Sequence, residues 1–198
     1  IGCRTTVVDN SNDAAAAKSA RAISEELEAG YLPTPTNLGW GASINFYLSS
    51  MWDINPYLLI SAHDANFEHF NVEDIVGEIS REEVFAVSPE NGQHTACHYS
   101  HPRFFHFKEA QTQGRFYEVP IGHSTAIFLK TDKVNSLQFD EEFFIYGCES
   151  EIFLRARKAG MKTMQTPSLQ VRNPSTDSDG SFVSTAFLVN SLYCAHKH

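Results

Sequence analysis

The sequence predicts an α/β fold, with one domain built on a mixed, mostly parallel central sheet flanked by helices. Short β-branched or apolar segments alternate with longer segments of helix-forming residues, which is the pattern of an α/β domain. Polar, acidic turns follow two of the apolar segments, at 9–13 and 62–66, as expected where the strands of an open sheet end. With 198 residues, 42% hydrophobic and 20% charged, the chain has the length and composition of an ordinary globular domain.

The front of the chain predicts the first half of a strand–helix–strand unit. Residues 4–8 are β-branched and predict a strand. The alanine-rich residues 14–29 predict a helix, with Asn12 or Asp13 as its N-cap and Gly30 as its stop.

The remaining elements follow in order along the chain. Tyr57–Ser61 is apolar throughout and predicts a strand buried on both faces, which is typical of a parallel sheet. Residues 93–118 have no clear period and predict a long irregular loop, which in a compact domain is often functional. The other predicted elements are an edge strand or loop at 31–33, helices ending near 52 and 160, helices at 72–80 and 182–196, strands at 84–87, 121–129, 162–167 and 169–171, and a polar loop at 173–181.

The acidic balance argues against nucleic acid as the main partner. The formal net charge is −9 and the isoelectric point is near 5.4, whereas binding to a phosphate backbone needs a basic face. A nucleotide is compatible with this charge, since a metal ion or a helix N-terminus can hold a small anion. No apolar run approaches the roughly 20 residues of a membrane span, and no signal-peptide pattern opens the chain, so we expect a soluble, cytoplasmic protein.

Cysteine and histidine spacing does not favour a zinc site. The scattered cysteines predict buried thiols, at Cys3, Cys97, Cys148 and Cys194. The histidines of the irregular loop lack the tight spacing of zinc ligands, at His94, His98, His101 and His106. Aromatic residues of the same loop are better suited to stacking against a sugar acceptor, at Tyr99, Phe104, Phe105 and Phe107.

Residues 139–160 are the stretch around which a function is predicted. An acidic, aromatic turn runs into an amphipathic helix, and two carboxylates, Glu149 and Glu151, lie at the junction. A carboxylate is favourable in the first turn of a helix, because that end of the macrodipole attracts anions, and a carboxylate beside aromatic residues also suits a general base. We assign Glu151 mainly to the structural role, paired with Arg155 one turn on. From the residues alone, both roles stay open for Glu149.

Six segments of the chain carry motifs that occur together, in this order, in one enzyme family. They are VVDNSND at 7–13, NLGWGASIN at 37–45, the strand that ends in Ala62, His63 and Asp64, FDEEFFIY at 139–146, the helix at 147–157, and NSLYCAHKH at 190–198. On these segments the chain resembles the family 2 glycosyltransferases of the GT-A fold, a Rossmann-like fold, and especially their rhamnosyltransferase-like branch. It is also similar to compact glycosyltransferase domains encoded by large algal viruses.

Three departures from the family pattern accompany the resemblance. The family normally begins with one more strand and helix, so we expect a truncated or an abbreviated front. Ala62 stands where the first acid of the DxD metal motif belongs, while Asp64 keeps the last. Glu149 stands where the family has its catalytic Asp, which gives the carboxylate a longer arm.

The resemblance implies an inverting glycosyltransferase that moves a sugar from a UDP- or dTDP-sugar to an acceptor hydroxyl of a glycan or glycoprotein. It implies Mn²⁺ or Mg²⁺ as the cofactor and a UDP-hexose or dTDP-rhamnose as the donor. Glu149 takes the place of the general base, Asp64 that of a metal ligand, and His196 that of a C-terminal metal ligand. The alternative for Asp64 is a cap of the turn that follows its strand.

The resemblance also implies how the donor is bound. The residues concerned are Asp9, Asn10, Asn37, Gly39, Gly41, His63 and Asp64. His123, beside a glycine before a predicted strand, is a candidate for contact with either the donor or the acceptor sugar. Asp9 would accept a hydrogen bond from a uracil or thymine N–H, and the glycines would let the backbone approach the nucleotide. Asn37 is equally suited to a plain turn. Within one domain, 1–92 would bind the nucleotide-sugar and 93–198 the acceptor, with further domains of a longer chain as possible neighbours.

Two rival functions stay open from the sequence. A catalytically weak carbohydrate- or nucleotide-binding module on the same fold is favoured by the altered DxD motif. A nucleotidyltransferase would need a basic, glycine-rich phosphate loop near the first strand, and the sequence has none there.

Overall fold

The structure is a computed structural model that describes residues 3–51, 55–90, 97–101, 104–107, 115–172, 189–190, 192–194 and 196–197. The helices are α1 (Ala14–Glu26), α2 (Trp40–Ser50), α3 (Val72–Ile79), α4 (Thr131–Leu137) and α5 (Cys148–Lys158). The strands are β1 (Thr6–Asp9), β2 (Gly30–Pro33), β3 (Tyr57–Ser61), β4 (Asn66–Phe70), β5 (Val84–Glu90), β6 (Cys97–His101), β7 (Phe104–Phe107), β8 (Tyr117–Val119), β9 (Ala126–Lys130) and β10 (Lys162–Arg172).

The main sheet has six strands in the order β3-β9-β5-β10-β4, with β8 paired to β10. Of its described strand pairs, β5–β10 is parallel, and the other four are antiparallel. A separate parallel pair, β1–β2, and an antiparallel hairpin, β6–β7, complete the strands of the described part. The predicted mixed α/β architecture is therefore confirmed, but the expectation of mostly parallel pairing is wrong. Apolar patterning reports which faces of a strand are buried and carries little information on the direction of its neighbour.

Strand β3 illustrates this difference. Its apolar run predicted a strand buried on both faces, as is typical of a parallel sheet, yet within the described residues it pairs with β9 alone, and antiparallel. Alternate residues pack on opposite faces, because Leu58 and Ile60 contact one hydrophobic cluster while Tyr57 and Leu59 contact the other. Partial burial against both clusters thus explains the continuous apolar sequence even at the edge of the described sheet.

Helices cover both faces of the main sheet. Along β9, Ile127 and Leu129 point to the cluster that α2, α4 and α5 complete, while Phe128 points to the opposite cluster. That second cluster is closed by α3 through Ile75 and Ile79, both fully buried. The period of two along the strand therefore divides the core into two layers around one sheet.

Several element boundaries differ from the predictions. Asp13 is confirmed as the N-cap of α1, since its carboxylate accepts from the N–H of Ala15, but the helix ends at Glu26, ahead of Glu28 with its positive φ of 51°. The two strands expected at 162–171 form one strand, β10. Sequence patterning missed β4, all of whose residues are exposed, and the short helix α4. It also missed β6, β7 and the start of β8, because an irregular loop was expected at 93–118.

The C-terminal part of the chain is helical at residues 189–190, 192–194 and 196–197, in agreement with the predicted terminal helix, and we call these residues the C-terminal segment. The polar loop predicted at 173–181, like the side chains of the histidines and aromatic residues predicted at 94–107, lies outside the described residues. Buried thiols are confirmed at Cys148 and Cys194, whereas Cys3 is exposed. No helix among the described residues combines the length and the apolar character needed to cross a membrane.

Candidate active site

Asp9 is the last residue of β1, and only 9% of its surface is exposed. One carboxylate oxygen accepts from the backbone N–H of Ser11 at 2.9 Å, and the other accepts from the Tyr31 hydroxyl at 2.5 Å. The hydrogen bond from Tyr31 lowers the pKa of Asp9, and partial burial opposes it. Asp9 is therefore held as an anion in one orientation, and a carboxylate has about four acceptor sites, which leaves room for a further donor.

The Asn10 side chain joins the end of β1 to the loop before α2. Its Nδ2 donates to Asn37 Oδ1 and to the Gly39 carbonyl, each at 3.0 Å. Its Oδ1 accepts from the Thr34 hydroxyl at 3.0 Å and from the Leu38 N–H at 2.8 Å. The Thr34 hydroxyl has a single proton and also lies 2.7 Å from the Thr36 carbonyl oxygen, so its hydrogen bond to Asn10 is shared. The Asn10 amide is thus largely engaged within the protein, and its predicted role in binding the nucleotide-sugar stays a prediction.

Gly39 and Gly41 bring this loop against the acidic turn, by which we mean residues 139–147. Gly39 has φ +82° and ψ −179°, and a Cβ there would overlap the Phe144 carbonyl oxygen and lie 2.9 Å from its carbon. The Trp40 N–H donates to the same oxygen at 3.0 Å. A Cβ on Gly41 would lie 2.9 Å from Phe139 Cβ. The glycines permit a close approach to the acidic turn, which the sequence did not predict. The predicted approach of their backbone to a nucleotide stays a prediction.

Asn45, on α2, fixes the beginning of the acidic turn. Its Nδ2 donates to the Phe139 carbonyl at 2.9 Å and to Glu141 Oε1 at 3.0 Å, and its Oδ1 accepts from the Phe139 N–H at 2.9 Å. The side chain is buried, so these bonds are made away from solvent. We assigned no role to Asn45 from the sequence, although it closes the NLGWGASIN segment.

Glu149 lies in the first turn of α5, directly after the acidic turn. Its Oε2 accepts from the Gly147 N–H at 3.1 Å and from the Cys148 thiol at 3.4 Å. Its Oε1 makes no hydrogen bond to the described residues, and the side chain is partly exposed. Burial, together with the charge of Glu149, raises the pKa of the Cys148 thiol well above its usual range. The two roles left open by the sequence are thus compatible, since one oxygen steadies the helix start and the other is available to a ligand.

Glu151 has the structural role assigned to it. It is fully buried, and its carboxylate accepts from Arg155 Nε at 2.7 and 2.9 Å and from Nη2 at 2.6 Å. Arg155 also donates to the carbonyls of Leu137 and Gln138. A buried charge is tolerated when it is paired and hydrogen-bonded, as here. The pair therefore anchors α5 to the chain that leads into the acidic turn.

The C-terminal segment fixes both ends of the acidic turn. Asn190 Nδ2 donates to the carbonyls of Ile145, at 2.5 Å, and Tyr146, at 2.6 Å. Lys197 Nζ contacts Asp140 at 2.6 Å and Glu151 at 3.3 Å. Asn190 and Lys197 lie within the NSLYCAHKH segment noted in the sequence, but their partners are about 45 to 57 positions away, beyond the reach of a local pattern.

Asp64 lies in the turn between β3 and β4, and we call residues 62–65 the metal turn after the role predicted for it. The Ala62 N–H donates to the Thr125 carbonyl at 2.9 Å, which sets the metal turn beside the residues before β9. There His123 Nδ1 accepts from the Thr125 N–H at 3.3 Å. His63, Asp64 and His123 therefore belong to the same end of the β3–β9 pair, with His63 exposed and the other two partly exposed.

A metal ion suits Asp64 by the chemistry of its donor, since Mg²⁺ and Mn²⁺ prefer carboxylate oxygen. No cluster of three or more metal-binding side chains occurs among the described residues. His196, the other predicted ligand, is an exposed residue of the C-terminal segment, next to Lys197. A metal site made by Asp64 and His196 stays a prediction.

Comparison with known proteins identifies the fold. No protein-family model and no curated protein matches the sequence. Among solved structures, GalNAc-T7 with UDP, GalNAc and Mn²⁺ aligns with a TM-score of 0.76 at 11% identity, over 98% of this chain and 41% of that one. The mannosyltransferase PcManGT from Pyrobaculum calidifontis, with GDP-Man and Mn²⁺, aligns with a TM-score of 0.66 at 14% identity, over 98% and 55%. S. aureus TarS in complex with UDP aligns with a TM-score of 0.55 at 15% identity, over 94% and 55%.

These alignments confirm the GT-A fold that the sequence resemblance implied. This chain spans about half the length of the transferases to which it aligns, or less. The rhamnosyltransferase-like branch stays a prediction, because an identity of 11 to 15% reports the fold alone.

Proposed function

We propose that this chain is a nucleotide-sugar-dependent, inverting glycosyltransferase that uses Glu149 as its general base. The observation that carries the proposal is the packing of the Gly39 loop on the acidic turn, with the Trp40 N–H on the Phe144 carbonyl. The Gly39 loop lies between β2 and α2, and the Asn10 side chain ties it to the end of β1, next to Asp9. Its packing on the acidic turn therefore joins the Asp9 end of β1 to the turn that precedes Glu149. The GT-A fold, known from structures with UDP or GDP-Man and Mn²⁺, supports the same conclusion.

The proposed reaction is a single displacement at the anomeric carbon of the donor sugar. The acceptor hydroxyl oxygen attacks that carbon from the face opposite the diphosphate, and its proton passes to the Glu149 carboxylate. One carbon–oxygen bond forms while the bond to the diphosphate oxygen breaks, so the configuration inverts and a nucleoside diphosphate leaves. Glu149 suits the base because Oε1 is not engaged by the described residues, whereas Glu151 is buried in its ion pair.

The donor is bound, in this proposal, by residues 1–92, and the acceptor by residues 93–198. Asp9 accepts from the imide N–H of uracil or thymine, which favours a UDP-hexose or dTDP-rhamnose donor. Asp64 would hold Mn²⁺ or Mg²⁺, with His63 or His196 beside it, and the bound cation would neutralise charge on the diphosphate. His123 lies at the same sheet end and would contact a sugar. The acceptor would be a glycan or glycoprotein in the cytoplasm.

The first test is binding. A ligand that binds only the folded state must stabilise it, so we expect UDP or dTDP with Mn²⁺ to raise the melting temperature. At a nucleotide concentration of 100 times the dissociation constant, the free energy of unfolding should rise by about 2.7 kcal/mol. A donor panel that includes UDP-hexoses, dTDP-rhamnose and GDP-mannose, assayed by nucleotide release, identifies the sugar. Absence of any stabilisation by all the nucleotides would reject the proposal.

The second test asks whether Glu149 is the general base. Glu149→Gln should lower kcat by about 10² to 10⁴-fold, the usual contribution of general base catalysis, and leave stabilisation by UDP unchanged. Glu142→Gln is the matched control, because Glu142 is an exposed carboxylate in the acidic turn that precedes Glu149. Turnover retained in Glu149→Gln would remove it from the role. Nucleotide binding without any turnover in the unmodified protein would instead favour a binding module on this fold.

A further inference from the structure

We infer that Asn190 is a positioning residue for the Glu149 carboxylate, acting through the peptide bond between Tyr146 and Gly147. The inference rests on the proposed function of Glu149 and extends it to the C-terminal segment. Its basis is a continuous chain of hydrogen bonds. Asn190 Nδ2 donates to the Tyr146 carbonyl at 2.6 Å, and the N–H of the same peptide unit, on Gly147, donates to Glu149 Oε2 at 3.1 Å.

This peptide is held in an unusual conformation. Tyr146 has φ +58° and Gly147 has φ +94°. Two successive residues thus have a positive φ, which is unfavourable for any residue other than glycine. A Cβ on Gly147 would lie 3.2 Å from Asn190 Cβ and 3.3 Å from the Phe143 ring. The backbone at this point is therefore enclosed by Asn190 on one side and by the buried Phe143 on the other.

Asn190 accounts for the stability of that conformation. Its amide also donates to the Ile145 carbonyl at 2.5 Å, so both N–H groups of the side chain serve consecutive carbonyls of the turn. A donor on the carbonyl of a peptide polarises its N–H, and this strengthens the bond that the N–H makes to the carboxylate. The orientation of Glu149 thus depends on a residue 41 positions further along the chain, as the two residue numbers give.

The rest of the segment keeps Asn190 in register with the turn. The Tyr193 ring packs edge-on against Phe143 with centroids 5.1 Å apart, and Cys194 is buried in the core cluster that contains Phe143. Lys197 contacts Asp140 at the opposite end of the turn. Because these contacts do not reach Glu149 themselves, we assign the positioning role to Asn190 alone.

The test compares Asn190→Asp with Leu192→Asp. The first substitution keeps the size of the side chain but removes both donors, and the second adds the same charge at a position that is 64% exposed on the same segment. The assay measures nucleotide release from the nucleotide-sugar that the donor panel identifies. In Asn190→Asp we expect kcat to fall about 100-fold, because a small misplacement of a catalytic group has about this cost. KM for the nucleotide-sugar should change by less than about twofold. Leu192→Asp should keep both values.

Hydrogen–deuterium exchange supplies a readout that does not require turnover. Peptides that cover 143–149 should exchange faster in Asn190→Asp than in Leu192→Asp, with the other peptides unchanged. Asn190→Ser, which retains one donor, should give an intermediate exchange rate and an intermediate kcat, and it serves in place of Asn190→Asp if that protein does not fold.

The outcomes separate this inference from the proposed function. Unchanged exchange at 143–149 would overturn the positioning role whether or not the protein is active. Faster exchange with an unchanged kcat would also overturn it, and would leave Asn190 as a purely structural contact. If the unmodified protein neither binds UDP nor releases nucleotide, the proposed function fails, and the role in catalysis falls with it whatever the exchange rates.

Discussion

The acidic turn and the metal turn differ in how firmly the protein holds them. The acidic turn is fixed by Asn45 from α2, by Asn190 and Lys197 from the C-terminal segment, and by the close approach of Gly39. The metal turn follows a strand at the edge of the described sheet and leads into β4, whose five residues are all exposed.

The difference suggests that the two halves of the proposed site contribute differently to catalysis. A base must be presented in one orientation, and the acidic turn provides this before any substrate binds. A cation that is carried by a diphosphate brings most of its own ligands, so its protein site needs less rigidity. We therefore expect substitutions at the acidic turn to change stability and kcat, and substitutions at the metal turn to change the response to the cation with little change in stability.

The largest effect is expected for Gly39→Ala. Its φ and ψ lie in a region that is essentially restricted to glycine, and the new Cβ would overlap the Phe144 carbonyl. Backbone strain and overpacking cost about 1–3 kcal/mol each, so we expect a loss of about 2–6 kcal/mol in the free energy of unfolding, measured by urea denaturation.

Gly77→Ala is the matched control for this substitution. Gly77 lies within α3, and no atom is within 4 Å of the position its Cβ would take. Alanine should therefore stabilise the protein by about 0.5–1 kcal/mol through its helix propensity. If Gly39→Ala were as well tolerated as Gly77→Ala, the acidic turn would not be held by close approach.

The sequence predicted the fold better than it predicted the contacts of the site. The N-cap at Asp13 and the pairing of Glu151 with Arg155 each depend on residues a few positions apart, and the structure confirms both. The expected burial of β3 is met only in part, because its apolar residues pack on both faces of the sheet but are only partly buried. The relative direction of two paired strands depends on segments that are far apart in the sequence. The residues of Tyr57–Ser61 alone therefore do not predict that β3 pairs antiparallel with β9.

The sequence indicated which residues belong to the candidate site, but not the hydrogen bonds and close contacts between them. Gly39 was expected to let the backbone approach the nucleotide, and the sequence did not indicate its contact with Phe144, more than 100 positions away. Asn45 and Asn190 were recognised as parts of motifs, while their hydrogen-bond partners depend on tertiary packing. The roles of Asp64, His123 and His196 stay predictions.

The second largest change in stability is expected when the contact between Asp140 and Lys197 is removed. Burial opposes ionisation of Asp140, but the hydrogen bond from Lys197, the Glu142 N–H and nearby positive charges together lower its pKa. A lowered carboxyl pKa stabilises the protein above the ordinary value, near 3.8, and this stabilisation is lost as the pH falls through the lowered pKa. Lys197 is 36% exposed, so Asp140→Asn should cost only about 1 kcal/mol at neutral pH.

Urea denaturation between pH 7 and 3 checks the sign of this effect. The stability difference between the unmodified protein and Asp140→Asn should stay constant down to about pH 4 and shrink below it. Asp132→Asn is the control, because Asp132 is 69% exposed and its only described ion pair is with the neighbouring Lys133. A difference that grew as the pH fell from 7 to 5 would mean that burial outweighs Lys197 and raises the pKa of Asp140.

The smallest change in stability is expected at the metal turn, where Asp64→Asn should alter the free energy of unfolding by about 0.5 kcal/mol, since Asp64 is partly exposed at a turn. The same substitution should abolish the extra melting-temperature shift that Mn²⁺ adds to UDP, because an amide is a poorer ligand for a hard cation than a carboxylate. Glu82→Gln, which removes an exposed charge elsewhere, should keep that shift. An unchanged response to Mn²⁺ in Asp64→Asn would place the cation elsewhere, and a large loss of stability would mean that the metal turn is held as firmly as the acidic turn.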